Sequence, residues 1–326
     1  MPKDIFVLVE CKDRSVRKAS LEILSKGKQI AGKLGCEVCA VIMGNDIKDL
    51  AESLKAYADK VIVANHAMLH EYSWDTYTMA SEQILKKYVP RMVLGASTVT
   101  GKDFFPRLAV RLKGSIVSDA IGIDVNESII RIKKPLYGGK VFSWIECKGD
   151  STAFVTFRPN SFTVEKRDLD GEIVEEQLQI NPDPRLVRLS VEKTASKKVD
   201  LQETDFIICG GRGMKGPEHF QLLEEIADLS GGRVGASRSV VDSKWRDYDD
   251  QIGKSGKTVS PKLYIGCGVS GALHHIMGMD TSKVIVAINK DPKAPIFQYA
   301  DYGIIDDLFT VLPVLKEELK RVREES

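Results

Sequence analysis

Residues 205–220, DFIICGGRGMKGPEHF, place an apolar run, a glycine-rich turn and the start of a helical pattern in immediate succession. Gly211, Gly213 and Gly216 stand in the spacing G-x-G-x-x-G between strand and helix, where backbone N–H groups at a helix start can cradle a phosphate. Such a turn belongs to a doubly wound parallel sheet, whose ligands bind at the carboxyl ends of the strands. The dinucleotide form of the motif also needs an acid about 20 residues on, at the end of the next strand, for the ribose hydroxyls. The next apolar run, RVGASRSVV (233–241), carries Ser237 and Arg238 near that point. A cation there argues against a nicotinamide dinucleotide, while Arg212 inside the turn suits a pyrophosphate.

Outward from this turn the chain alternates between periods of 2 and 3.6. DIFVLVE, CEVCAVIMG, KVIVAN and RMVLGAS read as strands; residues 15–35, 48–58 and 74–89 read as helices between them. That pattern builds βαβ units and a parallel sheet covered on both faces. Pro106 is expected to open a further helix and Gly114 to end it. SIIRIKKPLYGGKVFSWIECK and STAFVTFRP then read as antiparallel strands around a turn at Gly138–Gly139. The stretch from Phe162 to about Leu201 turns acidic, then proline-punctuated, and is the linker candidate, with RLVRLSVEK as one strand inside it. The expected layout is α/β throughout: a parallel-sheet domain over 1–195 and a doubly wound, Rossmann-like domain over 196–326.

Three more loops of the second domain carry polar groups at strand ends. QIGKSGKTVSP offers Gly253, Lys254, Ser255 and Gly256; GVSGALHH offers Gly268, Ser270, Gly271, Ala272 and the pair His274–His275; VIVAINKDPKAP ends its strand at Asn289. Ser270 reads as the N-cap of a helix whose first N–H groups favour an anion. Adjacent helical residues point roughly 100° apart, so the two histidines do not chelate one metal. The expectation is that one of the two faces the pocket and the other turns away. Cys36-x-x-Cys39 lies in a strand-like run with no second pair, which leaves it as core.

A formal net charge of +1, with 43% hydrophobic and 29% charged residues, gives no electrostatic reason for a nucleic acid or an anionic membrane as partner. No apolar run approaches the roughly 20 residues of a membrane span. MPKDIFVLVECKD leads straight into a strand, so a prokaryotic cytoplasmic location is expected.

Taken together, GGRG (210–213), GASR (235–238), IGKSGKTVSPKLYI (252–265), GVSGALHHIMGM (268–279) and VIVAINKDPKAPIFQYADYG (284–303) resemble the α subunit of electron transfer flavoproteins. LGASTVTGKDFFPRLAVRLK (94–113) and KPLYGGKVFSWI (134–145) extend the resemblance to the first domain. The resemblance implies a non-covalent FAD in the second domain and a first domain that meets a separate β subunit in a heterodimer. It also implies electron transfer with a partner dehydrogenase of acyl-CoA or hydroxy-acid type, with electron bifurcation as one setting. Carried over by position, Arg212, Gly268, Ser270, Gly271 and Ala272 lie at the pyrophosphate, and Ser237 and Arg238 against the isoalloxazine. Ile252, Gly253, Lys254 and Ser255 border the ring, with the Ser255 hydroxyl beside N5. His275 falls on the O2 side, and Asn289, Asp307 and Leu308 on the AMP side. Arg238, a donor from His275 and helix-terminal N–H groups would stabilise negative charge on the ring and raise its first reduction potential. Here His274 and Lys254 replace the family's more usual glutamines, and Ser255 a threonine. The rival reading is a free-standing NAD(P)H-dependent oxidoreductase using the Gly211–Gly216 turn; a non-redox nucleotide sensor makes no use of Arg238 or His275.

Overall fold

The computed structural model describes residues 4–126, 129–137, 139–148, 151–183, 185–186, 189–191 and 199–324. Two compact units divide the chain, 1–194 and 195–326. The first runs β1 (Ile5–Val9), β2 (Cys11–Lys12), β3 (Ser15–Val16), α1 (Lys18–Leu34), β4 (Val38–Gly44), α2 (Lys48–Leu54), β5 (Lys60–Asn65), α3 (Trp74–Tyr88), β6 (Met92–Ala96) and α4 (Val99–Arg111). It continues through β7 (Ser115–Ala120), β8 (Gly122–Asn126), β9 (Ile129–Leu136), β10 (Val141–Glu146), β11 (Ala153–Phe157) and β12 (Glu172–Glu175). Seven strands form one parallel sheet in the order β12-β5-β4-β1-β6-β11-β7. β1, β4, β6 and β11 are buried along their whole lengths, which is why they read as unbroken apolar runs. β8, β9 and β10 form a separate antiparallel sheet.

Three expectations for this unit fail. α4 starts at Val99, seven residues before Pro106, because Thr98 caps it by accepting from the Gly101 N–H at 3.0 Å. Pro106 sits inside the helix and gives up one of its backbone bonds. STAFVTFRP does not join the antiparallel set: β11 inserts parallel between β6 and β7, where all five of its residues are buried. The linker contains β12, which adds parallel to β5 at the sheet edge. Of the strand expected over RLVRLSVEK, residues 187, 188, 192 and 193 lie outside the described residues, as does Gly138 of the hairpin turn.

The second unit runs β13 (Phe206–Gly210), α5 (Phe220–Leu229), β14 (Arg233–Ala236), α6 (Arg238–Asp242), β15 (Leu263–Cys267), α7 (Leu273–Ile276), β16 (Val284–Ile288), β17 (Tyr302–Ile304) and α8 (Leu308–Glu324). Its five strands are parallel in the order β14-β13-β15-β16-β17. The chain leaves β13 toward β14, then returns to start again at β15 on the other side, so the switch point lies between β13 and β15. Phe220, Leu223, Ile226, Leu308 and Leu312 cover one face, and Ile252, Val259, Ile276 and Ile296 the other. RVGASRSVV is not one strand: it stops at Ala236, and Ser237 opens α6 by accepting from the Val240 N–H at 3.0 Å. The N-cap of α7 is Ala272 rather than Ser270. Among the described residues no helix is long and apolar enough to cross a membrane.

A buried ion cluster ties this unit together beside the sheet. Asp250, 6% exposed, takes Arg233 at 2.9 Å on one oxygen and Arg246 at 2.7 Å on the other, while Arg246 also meets Glu224 at 2.7 Å. Removing the central acid leaves two half-buried guanidinium groups short of a partner. Asp250→Ala is therefore expected to cost about 3–5 kcal/mol, measured as a lower urea midpoint for the full chain.

Candidate functional site

Loops from all five strand ends of the second unit enclose one cavity of about 660 Å³. Its floor is set at the switch point. The Gly211 N–H donates to the Cys267 carbonyl at 2.9 Å and the Gly213 N–H to the Gly268 carbonyl at 3.1 Å. A Cβ on Gly211 would stand 2.1 Å from the Gly268 oxygen, and one on Gly213 2.6 Å from its Cα. The glycine spacing thus lets two loops touch backbone to backbone.

Arg212, Ser237, Arg238, Ile252, Gly253, Ser255, Gly268, Ser270, Ala272, His275, Asn289, Asp307 and Leu308 all line the cavity. Two expected residues are not among its lining. Gly271, at φ 82, faces the loop after β16, where a Cβ would stand 2.3 Å from the Ile296 nitrogen. Lys254 is exposed and holds its loop by donating its backbone N–H to the His274 carbonyl at 2.7 Å. Asn289 works mainly as a clamp: its amide donates to the Val269 carbonyl at 3.0 Å, and its oxygen accepts from the Asp291 N–H at 3.0 Å. The Ser255 hydroxyl accepts from Gln251 at 3.1 Å at the cavity edge.

Sequence reasoning missed Lys215, Ser239, Lys290 and Asp306, which also line the cavity. Lys290 and Asp306 were findable from strand ends, but β17 is three exposed residues and left no periodic trace. His274 is a further correction, since it lines the cavity beside His275 instead of turning away. Arg238 pairs with Asp242 at 3.4 Å and Lys215 with Asp307 at 4.0 Å. Arg212 and Lys290 make no ion pair among the described residues.

The two histidines live in different media. His274 is exposed, whereas His275 is 7% exposed, with Nε2 2.7 Å from the Tyr264 hydroxyl and Nδ1 without a hydrogen-bond partner. Burial pushes its pKa down to about 4, partly offset by the Ile252 carbonyl beside the ring. His275 therefore enters the site as a neutral imidazole. The Gly211, Gly213 and Gly216 N–H groups are spent on backbone carbonyls, so this turn joins loops and does not cradle an anion as its spacing suggested. A cavity at a switch point, a cation without an ion pair among the described residues at Arg212 and an orphaned buried ring nitrogen together fit a ligand with a phosphate bridge and a polar ring.

Known proteins follow the same division of the chain. The family model described as "Electron transfer flavoprotein domain" matches residues 5–181, and "Electron transfer flavoprotein FAD-binding domain" matches residues 200–280. The electron transfer flavoprotein subunits alpha of Thermoanaerobacterium thermosaccharolyticum and Bacillus subtilis are 40% and 41% identical. Those alignments cover 98% and 99% of this chain and 99% of each relative. The chain belongs to the electron transfer flavoprotein α-subunit family. The cofactor of this family's second domain is FAD, and the cavity lies in the unit that contains the matched FAD-binding segment. The acryloyl-CoA reductase electron transfer subunit beta of Anaerotignum propionicum is also similar, 31% identical over 98% of this chain and 96% of its own length.

The neutral His275 has a measurable consequence. The unfolded chain protonates this ring below its ordinary pKa of 6.5, while the folded chain resists until about 4. Its contribution to stability is whole above pH 6.5 and falls as pH drops toward 4, by on the order of 3 kcal/mol in total. His275→Gln should lack this component. Urea unfolding of both proteins from pH 7 to 4 checks it, the stability gap between them narrowing as the solution is acidified.

Proposed function

We propose that the cavity of the second unit holds FAD and that the chain serves as the α subunit of a heterodimeric electron carrier. The observation that carries this reading is the cavity at the switch point, with Arg212 beside the glycine joint and neutral His275 in its wall. Arg212 and the Ser270–Ala272 backbone would take the pyrophosphate. Ser237, Arg238, Ile252, Gly253, Ser255 and His275 would border the isoalloxazine, and Asn289, Asp307 and Leu308 the AMP side. FAD supplies a carrier that accepts and returns electrons one or two at a time. The chain supplies positive charge from Arg238 and a neutral N–H from His275, which favour the reduced ring over the oxidised one, and a dry wall at Ile252 that keeps water from weakening them. Lys254 and Gly271 act by shaping their loops rather than by touching the ring.

Arg238→Ala removes the nearest such charge. The first reduction potential of the purified flavoprotein should fall by about 60 mV, the size of a tenfold change in a one-electron equilibrium. An unchanged redox titration would remove Arg238 from the ring. The NAD(P)H reading is disfavoured by the strand end after β14, which presents Ser237 and Arg238 in place of an acid.

The first unit carries the partner surface in this proposal. Tyr137, Phe142 and Trp144 on and beside the β9–β10 hairpin are 81%, 47% and 53% exposed. Aromatic groups clustered in the open mark a protein contact, here assigned to a β subunit. An acyl-CoA-type redox partner fits the name of the acryloyl-CoA reductase relative; a hydroxy-acid dehydrogenase as electron donor and a cytoplasmic location are proposed beside it. Trp144→Glu is expected to abolish co-purification of a 1:1 heterodimer while leaving the chain folded by circular dichroism; retention of the heterodimer would move the interface elsewhere.

A further inference from the structure

Beneath the cavity three polar side chains meet in an otherwise apolar core. Cys209 and Tyr264 are fully buried and His275 nearly so, among Ile207, Ile252, Val259 and Ile276. The Tyr264 oxygen lies 2.7 Å from His275 Nε2, and the Cys209 sulfur lies 4.0 Å from the same nitrogen. The phenol and the neutral imidazole each own one proton, so two arrangements compete. If Nε2 carried the ring proton, His275 would donate to the phenol, and Nδ1 would be left as a bare buried lone pair with no donor to meet it among the described residues. The Ile252 N–H is spent on the Ala236 carbonyl at 2.9 Å, so the Ile252 backbone can act on the ring only as an acceptor. A bare lone pair in low dielectric with only an acceptor nearby is unfavourable. In the other arrangement Tyr264 donates to Nε2, Cys209 keeps the Gly210 carbonyl at 4.0 Å as its acceptor, and the proton sits on Nδ1. Nδ1–H is then a buried donor with no hydrogen-bond partner among the described residues.

We propose that Tyr264 is a positioning residue: its phenol donates to Nε2, fixes the His275 proton on Nδ1, and so reserves a neutral N–H donor for an acceptor atom of the ring that occupies the cavity. This rests on the FAD reading for the identity of that ring, though not for the tautomer. A buried donor without a partner is destabilising, a cost that ligand binding can relieve. Both ring nitrogens contribute, since the partner of one sets the chemistry of the other.

The test reads the tautomer directly. Full-length chain labelled with ¹⁵N-histidine, alone and in complex with its flavin-bearing partner assembly, is examined by two-bond ¹⁵N–¹H correlation. The expected result is a protonated Nδ1 and an unprotonated Nε2 for His275 in both states. In Tyr264→Phe the fixed tautomer is lost. The first reduction potential of the loaded protein then falls by roughly fivefold in the equilibrium between reduced and oxidised forms, the scale of one hydrogen bond. Cys209→Ala should leave both readings unchanged. A proton on Nε2 in the unaltered protein overturns the proposal, as does an unchanged tautomer or potential in Tyr264→Phe. The assignment in the unaltered chain needs no variant, so misfolding of Tyr264→Phe does not shelter the idea. Purification without flavin would overturn the FAD reading, while the tautomer spectrum of the chain alone would still decide the role of Tyr264.

Discussion

The contact on which the site depends is the backbone meeting of Gly211 and Gly213 with Gly268. Two hydrogen bonds, Gly211 to Cys267 and Gly213 to Gly268, bring the loop after β13 against the loop after β15 with no side chain between them. Everything nearer the ligand is hung from this joint. Ile296 donates its N–H to the Ser270 carbonyl at 3.1 Å, and Asn289 reaches back to Val269, so the loop after β16 is fixed against the same joint. Leu308 closes it from α8, standing 2.9 Å from where a Cβ on Gly268 would lie. The cavity is therefore held by backbone, which moves little, and its charges are carried on side chains at the rim.

The first unit shows why such a joint is needed, because it has the same switch-point topology and uses it differently. Its switch point lies between β1 and β6. There the Thr98 hydroxyl donates to Glu10 at 2.7 Å and accepts from the Gly101 N–H, and Arg17 stands 3.5 Å from the same carboxylate. The N–H at the start of α4 that would greet an anion is already satisfied, and a carboxylate stands beside it. Similar sheets thus give one crevice closed by side chains and one opened by glycines. Fold alone does not assign the site; the residues at the switch point do.

Much of this was legible in sequence for a simple reason. Buried parallel strands are unbroken apolar runs, and glycines required by close backbone approach sit at fixed offsets after them, so β13, β15 and their loops could be read outright. What failed was decided by neighbours. SRSVV has the β-branched texture of a strand, yet β14 pairs with β13 only as far as Ala236, and the unpaired remainder coils into α6. Ala153–Phe157 gave no hint of its direction, because a run of five buried residues fits parallel or antiparallel pairing equally. In the sequence Tyr264 is one more residue of the apolar run LYIGC that forms β15. Its hydroxyl gained meaning only when the fold brought it to His275, eleven positions away on α7.

The histidine pair shows how position, rather than residue type, divides the work of the site. The helical turn of roughly 100° per residue sends His275 into the core and leaves His274 at the surface, although both border one cavity. Burial denies His275 a charge, so the positive potential of the cavity has to come from Arg212, Lys215, Arg238 and Lys290. Those cations are exposed and lie alongside Asp242, Asp291, Asp306 and Asp307, so their field is moderated by carboxylates and screened by salt. The neutral donor below is subject to neither. A ligand in this cavity would feel an electrostatic rim moderated by its surroundings over a fixed, uncharged floor.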